Sequence, residues 1–210
     1  MTFAVGVFDL FAYTIPGSLY LGLAGYLVVR VGWVEPAELT GVPVVLLVIG
    51  AVLASYLLGY MVYPVGAGVN RLVPRLRRRR AQSEFLRRVP EARDRGYITA
   101  DRQLLLAAVQ IHDKDVAIEV TRLRAAGLML RNSAAPLALA SLAALVELIV
   151  GRHPGPAVAG MVVFAGAFAS VMAGARRLTY WAYLKTLELG FWVPEIDEKL
   201  GGPAAPDAGA

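Results

Sequence analysis

The sequence predicts an all-α membrane protein with four transmembrane helices and a helical cytoplasmic segment between the second and third of them. Mean hydropathy is +0.57, and 57% of the 210 residues are hydrophobic, against about 45–50% apolar residues in soluble domains. The apolar residues are concentrated in four blocks that are almost free of charge. Each block can supply a helix that crosses a bilayer, which takes about 20 residues.

The first block, Leu10–Val29, begins within the segment FDLFAYTIPG. Asp9 is predicted to cap the start of this helix by accepting backbone N–H bonds. Pro16 removes a backbone donor and Gly17 loosens the chain, so a kink or a break is expected there. A kinked ordinary span is favoured, because proline is frequent in transmembrane helices. A gate or a re-entrant element is the alternative.

Three further blocks complete the membrane part. Leu39–Asn70 contains no charged residue, Asn132–Gly151 contains Glu147 alone, and Pro154–Ala175 is again uncharged. The predicted organisation is transmembrane helices 1 and 2 in 1–70, a basic cytoplasmic helical region in 71–131, transmembrane helices 3 and 4 in 132–175, a juxtamembrane helix in 176–200 and a disordered tail in 201–210.

The distribution of basic residues predicts the orientation. Of the 21 Lys and Arg, 15 fall in the segment Arg71–Arg131, and Arg176 and Arg177 follow the fourth block. Because cytoplasmic flanks carry the excess of Lys and Arg, both termini and the basic region are predicted to be cytoplasmic. Met1–Val29 has no basic n-region and no cleavage site, so it is interpreted as retained structure and not as a signal peptide.

Two helical stretches are predicted within the basic region. Arg75–Arg88 forms one helix that ends near Pro90. Thr99 is predicted to cap the next helix, with Asp101 in its first turn. Apolar residues then recur at spacings of three, four and seven, which is a helical pattern. This helix is expected to continue almost unbroken into the third span.

The arginine run Arg75–Arg80, followed by Arg87–Arg88, is the strongest ligand signal. Three interpretations stay open: topogenic charge attracted to anionic lipid, phosphate recognition by guanidinium groups, and contact with an acidic partner protein. A site for single-stranded nucleic acid would also need stacking aromatic side chains. For that purpose the region offers Phe85, Tyr97 and His112.

Small residues recur at four-residue spacing in the second and fourth spans. They are Ala51, Ser55 and Gly59 in the second span, and Gly166, Ser170 and Gly174 in the fourth. Such stripes let helices approach closely, either within one protomer or between subunits of a homo-oligomer.

Glu147 is the one acid well inside a span, and intramembrane acids are candidates for function because burying their charge is costly. Pairing with Arg152 or His153 near the membrane surface is one interpretation. A ring of glutamates, one per subunit, at a cation-favouring outer mouth is the other.

No pattern typical of an enzyme is present in the sequence. It has no Gly-rich phosphate loop, no serine elbow and no cysteine. His112 and His153 lie on opposite sides of the membrane in the predicted topology, so they cannot share a metal. The sequence therefore predicts no catalysis, no metal and no cofactor.

The opening FDLFAYTIPG, the four spans, the basic middle and the exit motif Arg-Arg-x-x-Tyr-Trp-x-Tyr-x-Lys together resemble the membrane effectors of bacterial anti-phage defence, most closely those of Hailong-type systems. The resemblance implies an oligomeric channel that depolarises the bacterial inner membrane on infection. It also implies that a partner nucleotidyltransferase makes an oligonucleotide that controls the channel.

The resemblance assigns candidate site residues as well. The ligand would bind Arg77, Arg78, Arg79, Arg80, Arg87, Arg88, Arg122 and Arg124. The pore and gate would involve Pro16, Gly17, Gly166, Ser170 and Gly174, to which the sequence itself adds Glu147. The alternative function is a non-channel membrane adaptor that docks a soluble partner, or anionic lipid, at the inner leaflet.

Overall fold

Helices make up the regular structure in the computed structural model, which describes residues 2–35, 41–64, 76–151, 154–194 and 196–200, without the side chains of 2–9, 76–80 and 199. No strand occurs in these ranges. Short 3-10 turns lie at Pro90–Ala92 and Gly96–Ile98. The α-helices are α1 (Thr2–Val31), α2 (Val44–Met61), α3 (Leu76–Arg88), α4 (Arg102–His112), α5 (Lys114–Val150), α6 (Pro154–Phe191) and α7 (Ile196–Leu200).

Four of these helices, α1, α2, α5 and α6, are long and apolar enough to cross a membrane. This confirms the predicted all-α fold with four spans, and the chain is a multi-pass membrane protein. The apolar side chains of α2 are mostly exposed, for example Val44 at 73% and Leu57 at 60%. Such exposure suits a helix whose outer face is solvated by lipid instead of water.

The chain divides into two compact units. Residues 1–73 and 125–176 form one, called here the span unit, and residues 74–124 and 177–210 form the other, called the polar unit. Residues 125–131, which the sequence assigned to the basic region, belong to the span unit. The predicted tail, 201–210, lies outside the described residues.

In the span unit, α1 and α2 pack through two glycines. A Cβ atom on Gly17 would overlap the carbonyl oxygen of Ser55, and one on Gly59 would overlap the carbonyl oxygen of Tyr13. Because 17 faces 55 and 13 faces 59, the two helices run antiparallel. Ser55 and Gly59 are buried, so these two members of the small-residue stripe of the second span pack within the protomer, whereas Ala51 is exposed.

The start of α1 differs from the prediction, whereas its middle agrees with the favoured ordinary span and not with the alternative of a break. The helix begins at Thr2, so Asp9 lies inside it and the predicted N-cap at Asp9 is wrong. The helix also continues through Pro16 without a break. Proline is tolerated in a span where neighbouring helices and Ser or Thr side chains compensate for the lost backbone bond. Pro16 is fully enclosed, and the adjacent Gly17 packs directly on the backbone of α2.

The second antiparallel pair in the span unit is α5 with α6. A Cβ on Gly160 would lie 3.6 Å from the Cβ of Ala144, and one on Gly174 would lie 2.9 Å from Cδ1 of Leu130. Residue numbers therefore rise along one helix as they fall along the other. Residues 132–137 of α5 are all buried, and this stretch is part of the core of the span unit.

The polar unit has its own hydrophobic core. Its members include Phe85 from α3, Tyr97 from the second 3-10 turn, Leu105 from α4, Leu187 from α6 and Ile196 from α7, each at most 1% exposed. The predicted juxtamembrane helix is the continuation of α6 as far as Phe191. Its apolar face is covered within the polar unit, so it is not available to lie on the membrane surface as an amphipathic helix would.

Two aspartates set the helix boundaries that the sequence analysis placed wrongly. Asp101, not Thr99, caps α4, because its Oδ1 accepts the backbone N–H groups of Gln103 and Leu104. Asp113 interrupts the predicted continuous helix, because its extended backbone ends α4 and its Oδ1 accepts the N–H of Asp115 at 2.9 Å. Aspartate is a preferred N-cap residue for this reason. The part from Lys114 onward does continue into the third span, as predicted.

Candidate functional site

Two of the predicted ligand-binding arginines are held by acids. Nη2 of Arg87 and Nε of Arg88 both lie close to Oε1 of Glu84, at 3.0 and 3.1 Å, and Nη1 of Arg88 lies 3.4 Å from Oε1 of Glu188. The hydrogen bond from Arg88, followed by that from Arg87, lowers the pKa of Glu84. Arg88 thus connects α3 to α6, whereas the Arg87 side chain is 78% exposed and faces solvent.

The other predicted ligand-binding arginines are spread over two helices. Arg77–Arg80 lie on α3, and their side chains are outside the described part of the structure. Arg122 and Arg124 lie on α5, where the first is exposed and the second half-buried. Residues two apart on a helix point to different faces, so these two arginines do not form one surface.

Arg102, which the sequence analysis did not select, lies beside an aromatic ring and another arginine in the polar unit. The guanidinium carbon of Arg102 lies 3.9 Å from the ring centroid of Tyr183. The positive charge of Arg102 also repels that of Arg124. The signal available in the sequence was the aromatic exit motif that contains Tyr183, but nothing in the spacing relates residue 183 to residue 102.

Asp197 organises the loop that precedes α4. Its Oδ1 accepts the backbone N–H of Tyr97 at 2.9 Å, and its Oδ2 lies 2.6 Å from Nε of Arg95. Burial raises the pKa of Tyr97 to about 12, because the ionised phenol would lose its solvation. This part of the polar unit is therefore structural, and its tyrosine stays protonated at neutral pH.

Glu147 is paired with α1 in the span unit. Its carboxylate accepts from Arg30, with Nε to Oε2 at 2.9 Å and Nη2 to Oε1 at 3.3 Å, and from the Tyr26 hydroxyl at 3.4 Å. The previously considered partners Arg152 and His153 lie outside the described residues. The sequence analysis missed Tyr26 and Arg30, although their i, i+4 spacing places them on one face of α1.

The pair Arg30–Glu147 lines a cavity of about 610 Å³ in the span unit. The cavity lies among α1, α5 and α6, and apart from Ser18, Tyr26, Arg30 and Glu147 its lining is apolar or glycine. Its volume is within the range of about 300–1,000 Å³ that is typical of ligand pockets. The lining is too apolar for the cavity to serve by itself as a hydrated path for ions.

The residues predicted for the pore and gate have different surroundings in the protomer. Pro16 and Gly17 are buried, with Gly17 against α2, and Gly174 faces Leu130. Gly166 and Ser170 are exposed, and a Cβ on Gly166 would meet nothing within 4 Å. In the fourth-span stripe, Gly174 is therefore covered within the protomer, whereas Gly166 and Ser170 are exposed.

Comparisons with protein-family models, curated proteins and solved structures find no match to this chain. In the described ranges, no group of three His, Asp or Glu side chains is placed to hold a metal ion.

We expect replacement of Arg30 or Glu147 by Gln to destabilise the span unit, because each variant loses one member of the Arg30–Glu147 ion pair. The double replacement should cost less than the two single ones together. The half-exposed Arg30 side chain keeps this coupling small. Unfolding in a detergent mixture, followed by tryptophan fluorescence, measures all four proteins. Strictly additive effects would show that the pair contributes nothing.

Proposed function

We propose that this chain forms a homo-oligomeric channel in the bacterial inner membrane, with both termini and the polar unit in the cytoplasm. A phosphate-rich ligand, an oligonucleotide or a nucleotide made by a partner nucleotidyltransferase, controls the channel through the arginines of the polar unit. The proposal is supported by the anti-phage resemblance and by three features of the structure. These are the exposed face of α6, the arginine clusters of the polar unit and the length of α5.

The uncovered face of α6 is the observation that carries the proposal. In the apolar stretch of α6, 6% of the residues are buried in the protomer, whereas the corresponding share for α5 is 22%. Gly166 and Ser170 lie in this open part of the helix. Small residues allow helix backbones to approach closely in a membrane, where van der Waals packing drives association. An oligomer built on this face of α6 brings several copies of the helix around one axis, which is what a lumen requires.

The arginine clusters support a phosphate-bearing ligand. The α3 helix carries Arg77–Arg80 and Arg87 on 13 residues, and guanidinium groups bind phosphate oxygens with two parallel hydrogen bonds. Arg102 adds a guanidinium plane supported by the Tyr183 ring, a contact that was not evident in the sequence. Stacking on aromatic side chains combined with basic residues is the usual way in which single-stranded nucleic acid is bound.

The helix α5 provides the physical link between ligand and membrane. It begins at Lys114 in the polar unit and ends at Val150 in the span unit, so a single helix carries both Arg122 and Glu147. A ligand shifts a conformational equilibrium only by its different affinities for the two states. A polyanion neutralises arginines that otherwise repel one another. It therefore binds the state in which these arginines are close together more tightly than the other state.

We expect the purified protein in liposomes to conduct monovalent ions, and a single-stranded DNA of about 12 nucleotides to change that conductance. Replacement of Arg77–Arg80 by Gln should leave the basal conductance intact and abolish the response. The affinity for this DNA should fall at least tenfold, and the salt dependence of log K should become shallower by about 3 if all four arginines contact phosphates. Ion flux and fluorescence anisotropy measure the two effects.

The matched control replaces Arg93 and Lys114, two exposed basic residues of the polar unit, with Gln. It lowers the charge of the same unit outside the proposed ligand site, so the response to DNA should persist. An unchanged response in the Arg77–Arg80 variant would remove these residues from the site. Absence of flux in the wild-type protein would contradict the channel itself.

An adaptor is the second candidate, and exposed apolar residues of the polar unit favour it. Leu104 and Ile111 are 59% and 86% exposed, and their spacing of seven places them on one face of α4. An exposed apolar face of this kind is typical of a docking surface for a protein. A chain that gives no ion flux and retains a soluble partner through this face would be an adaptor.

A further inference from the structure

Two arginines at one end of the span unit have enclosed nitrogen atoms without a hydrogen-bond partner. Nε and Nη2 of Arg131 and Nε of Arg176 are enclosed, and none of them donates to an acceptor in the described chain. Burying a charged group without a compensating partner is costly, and buried polar atoms in native proteins are nearly always hydrogen-bonded. A partner from outside the described chain is therefore expected.

The contact between Gly174 and Leu130 brings these arginines to the same level of the α5–α6 pair. Arg131 follows Leu130 directly, and Arg176 lies two residues beyond Gly174. In the sequence, Arg131 immediately precedes the uncharged part of the third span, and Arg176 immediately follows that of the fourth. Both guanidinium groups therefore lie where the apolar part of the bundle ends, which is the level of lipid headgroups.

The Arg131 side chain is positioned by an aromatic ring. Its guanidinium carbon lies 5.6 Å from the ring centroid of Tyr63. A guanidinium group that rests on a ring keeps its N–H donors available for a planar acceptor. Arg131 and Arg176 are both half-buried, so each retains an accessible side from which an anion can approach.

The acids of the span unit whose side chains the structure describes are Glu35 and Glu147, and neither is placed to neutralise this pair. The side chain of Asp9 on α1 lies outside the described residues. Glu147 binds Arg30 close to the end of α5, about 16 residues and 24 Å along the helix from Arg131. Glu35 follows the end of α1 at which Arg30 lies. The excess positive charge beside Tyr63 is thus at the opposite end of the bundle from these acids.

We propose that Arg131 and Arg176 form a binding site for a phosphate group, supplied by a phospholipid headgroup or by a soluble phosphate. Guanidinium forks match the geometry of phosphate oxygens, and basic pockets between transmembrane helices bind anionic headgroups. The site lies in the span unit and includes none of the arginines of α3. It does not depend on whether the chain is a channel.

The test uses the full-length protein, stripped of lipid in a phosphate-free detergent solution. Phosphatidylglycerol, phosphatidylcholine and inorganic phosphate are added separately, and binding is followed by native mass spectrometry and by the shift in thermal unfolding. Replacement of Arg131 and Arg176 by Gln should weaken binding of the phosphate-bearing probe at least tenfold. Without any probe, the same variant should unfold at an equal or higher temperature, because two enclosed charges have been removed.

The probes distinguish the source of the phosphate. Retention of phosphatidylglycerol that inorganic phosphate does not displace would identify a lipid headgroup. Binding of inorganic phosphate that the lipid does not prevent would identify a soluble phosphate. Either result supports the site if the double variant loses it. Equal binding of every probe by the wild-type protein and the variant would overturn the proposal.

Three further variants keep the test specific. Arg177→Gln removes one charge from the next position of α6, where the side chain is exposed, and should bind the probe as the wild-type protein does. Arg131→Lys keeps the charge but loses the planar fork, so binding should weaken by several-fold. The Asp9 side chain lies outside the described residues, and binding by Asp9→Asn but not by the wild-type protein would mean that an internal carboxylate occupies the site. That result would also overturn the proposal.

Discussion

Gly17→Ala is expected to destabilise the span unit by about 3 kcal/mol or more, the upper end of what overpacking costs. The added Cβ would overlap the Ser55 carbonyl oxygen and lie 2.8 Å from the backbone nitrogen of Gly59. These are backbone atoms of a helix, so they cannot move aside as a side chain would. The two helices would have to separate, and the packing that associates helices in lipid would be lost along the whole contact.

The measurement is unfolding of the purified protein in mixed micelles, with helix separation followed by fluorescence transfer between labels on α1 and α2. Gly25→Ala is the matched control, since a Cβ at this position of the same helix meets nothing within 4 Å. It should be neutral or slightly stabilising, because alanine is the better helix former. A Gly17→Ala protein as stable as this control would show that α1 and α2 do not pack as closely as described.

The membrane fold could be predicted because lipid constrains the sequence so strongly. A block such as Leu39–Asn70, 32 residues without a charge, permits few structures other than a spanning helix. The same constraint explains why α1 continues through Pro16. Pro16 and Gly17 indicate a weak point in an isolated helix, but Gly17 is the contact that allows α2 to support it. The contact with α2 thus outweighs the weak helix propensity of Pro16 and Gly17, and the sequence does not show this contact directly.

The errors in the polar unit have a different origin. Thr99 and Asp101 are both acceptable cap residues, and the choice between them depends on where the preceding turn ends. The Thr99 hydroxyl instead donates to the Gly96 carbonyl oxygen at 3.0 Å, which leaves Asp101 to cap α4. Asp113 lies within the stretch that was expected to form one helix, but an aspartate within a helical pattern competes for the backbone N–H groups that follow it.

The candidate sites were predicted only as far as local patterns reach. The arginine run on α3 and the acid at Glu147 are visible in the sequence because each is unusual within its own segment. The partners of these groups come from distant segments, as with Arg30 for Glu147, 117 residues apart. Periodicity within a helix specifies which face a residue occupies, but not which helix covers that face.

Phe85→Ala is expected to destabilise the polar unit by about 3–5 kcal/mol, as removal of a buried phenyl ring usually does. Phe85 is fully buried in the core formed with Tyr97 and Leu187, and it is the described residue of α3 with the largest enclosed side chain. The arginines of α3 would then lose the helix face that holds them against the rest of the unit. Limited proteolysis should show cleavage within residues 76–112 while the spans stay protected. Circular dichroism should show the accompanying loss of helix.

The Phe85→Ala variant also tests the proposed function. Flux through the spans should persist in Phe85→Ala, whereas the response to single-stranded DNA should be lost, because the arginines would no longer be held in one arrangement. Ile111→Ala is the control, since this side chain is 86% exposed and its truncation should change stability by less than about 0.5 kcal/mol. If Phe85→Ala removed basal flux as well, the spans would need the folded polar unit to form a pore. If it kept the full response to DNA, binding would depend on the charge of α3 and not on its position.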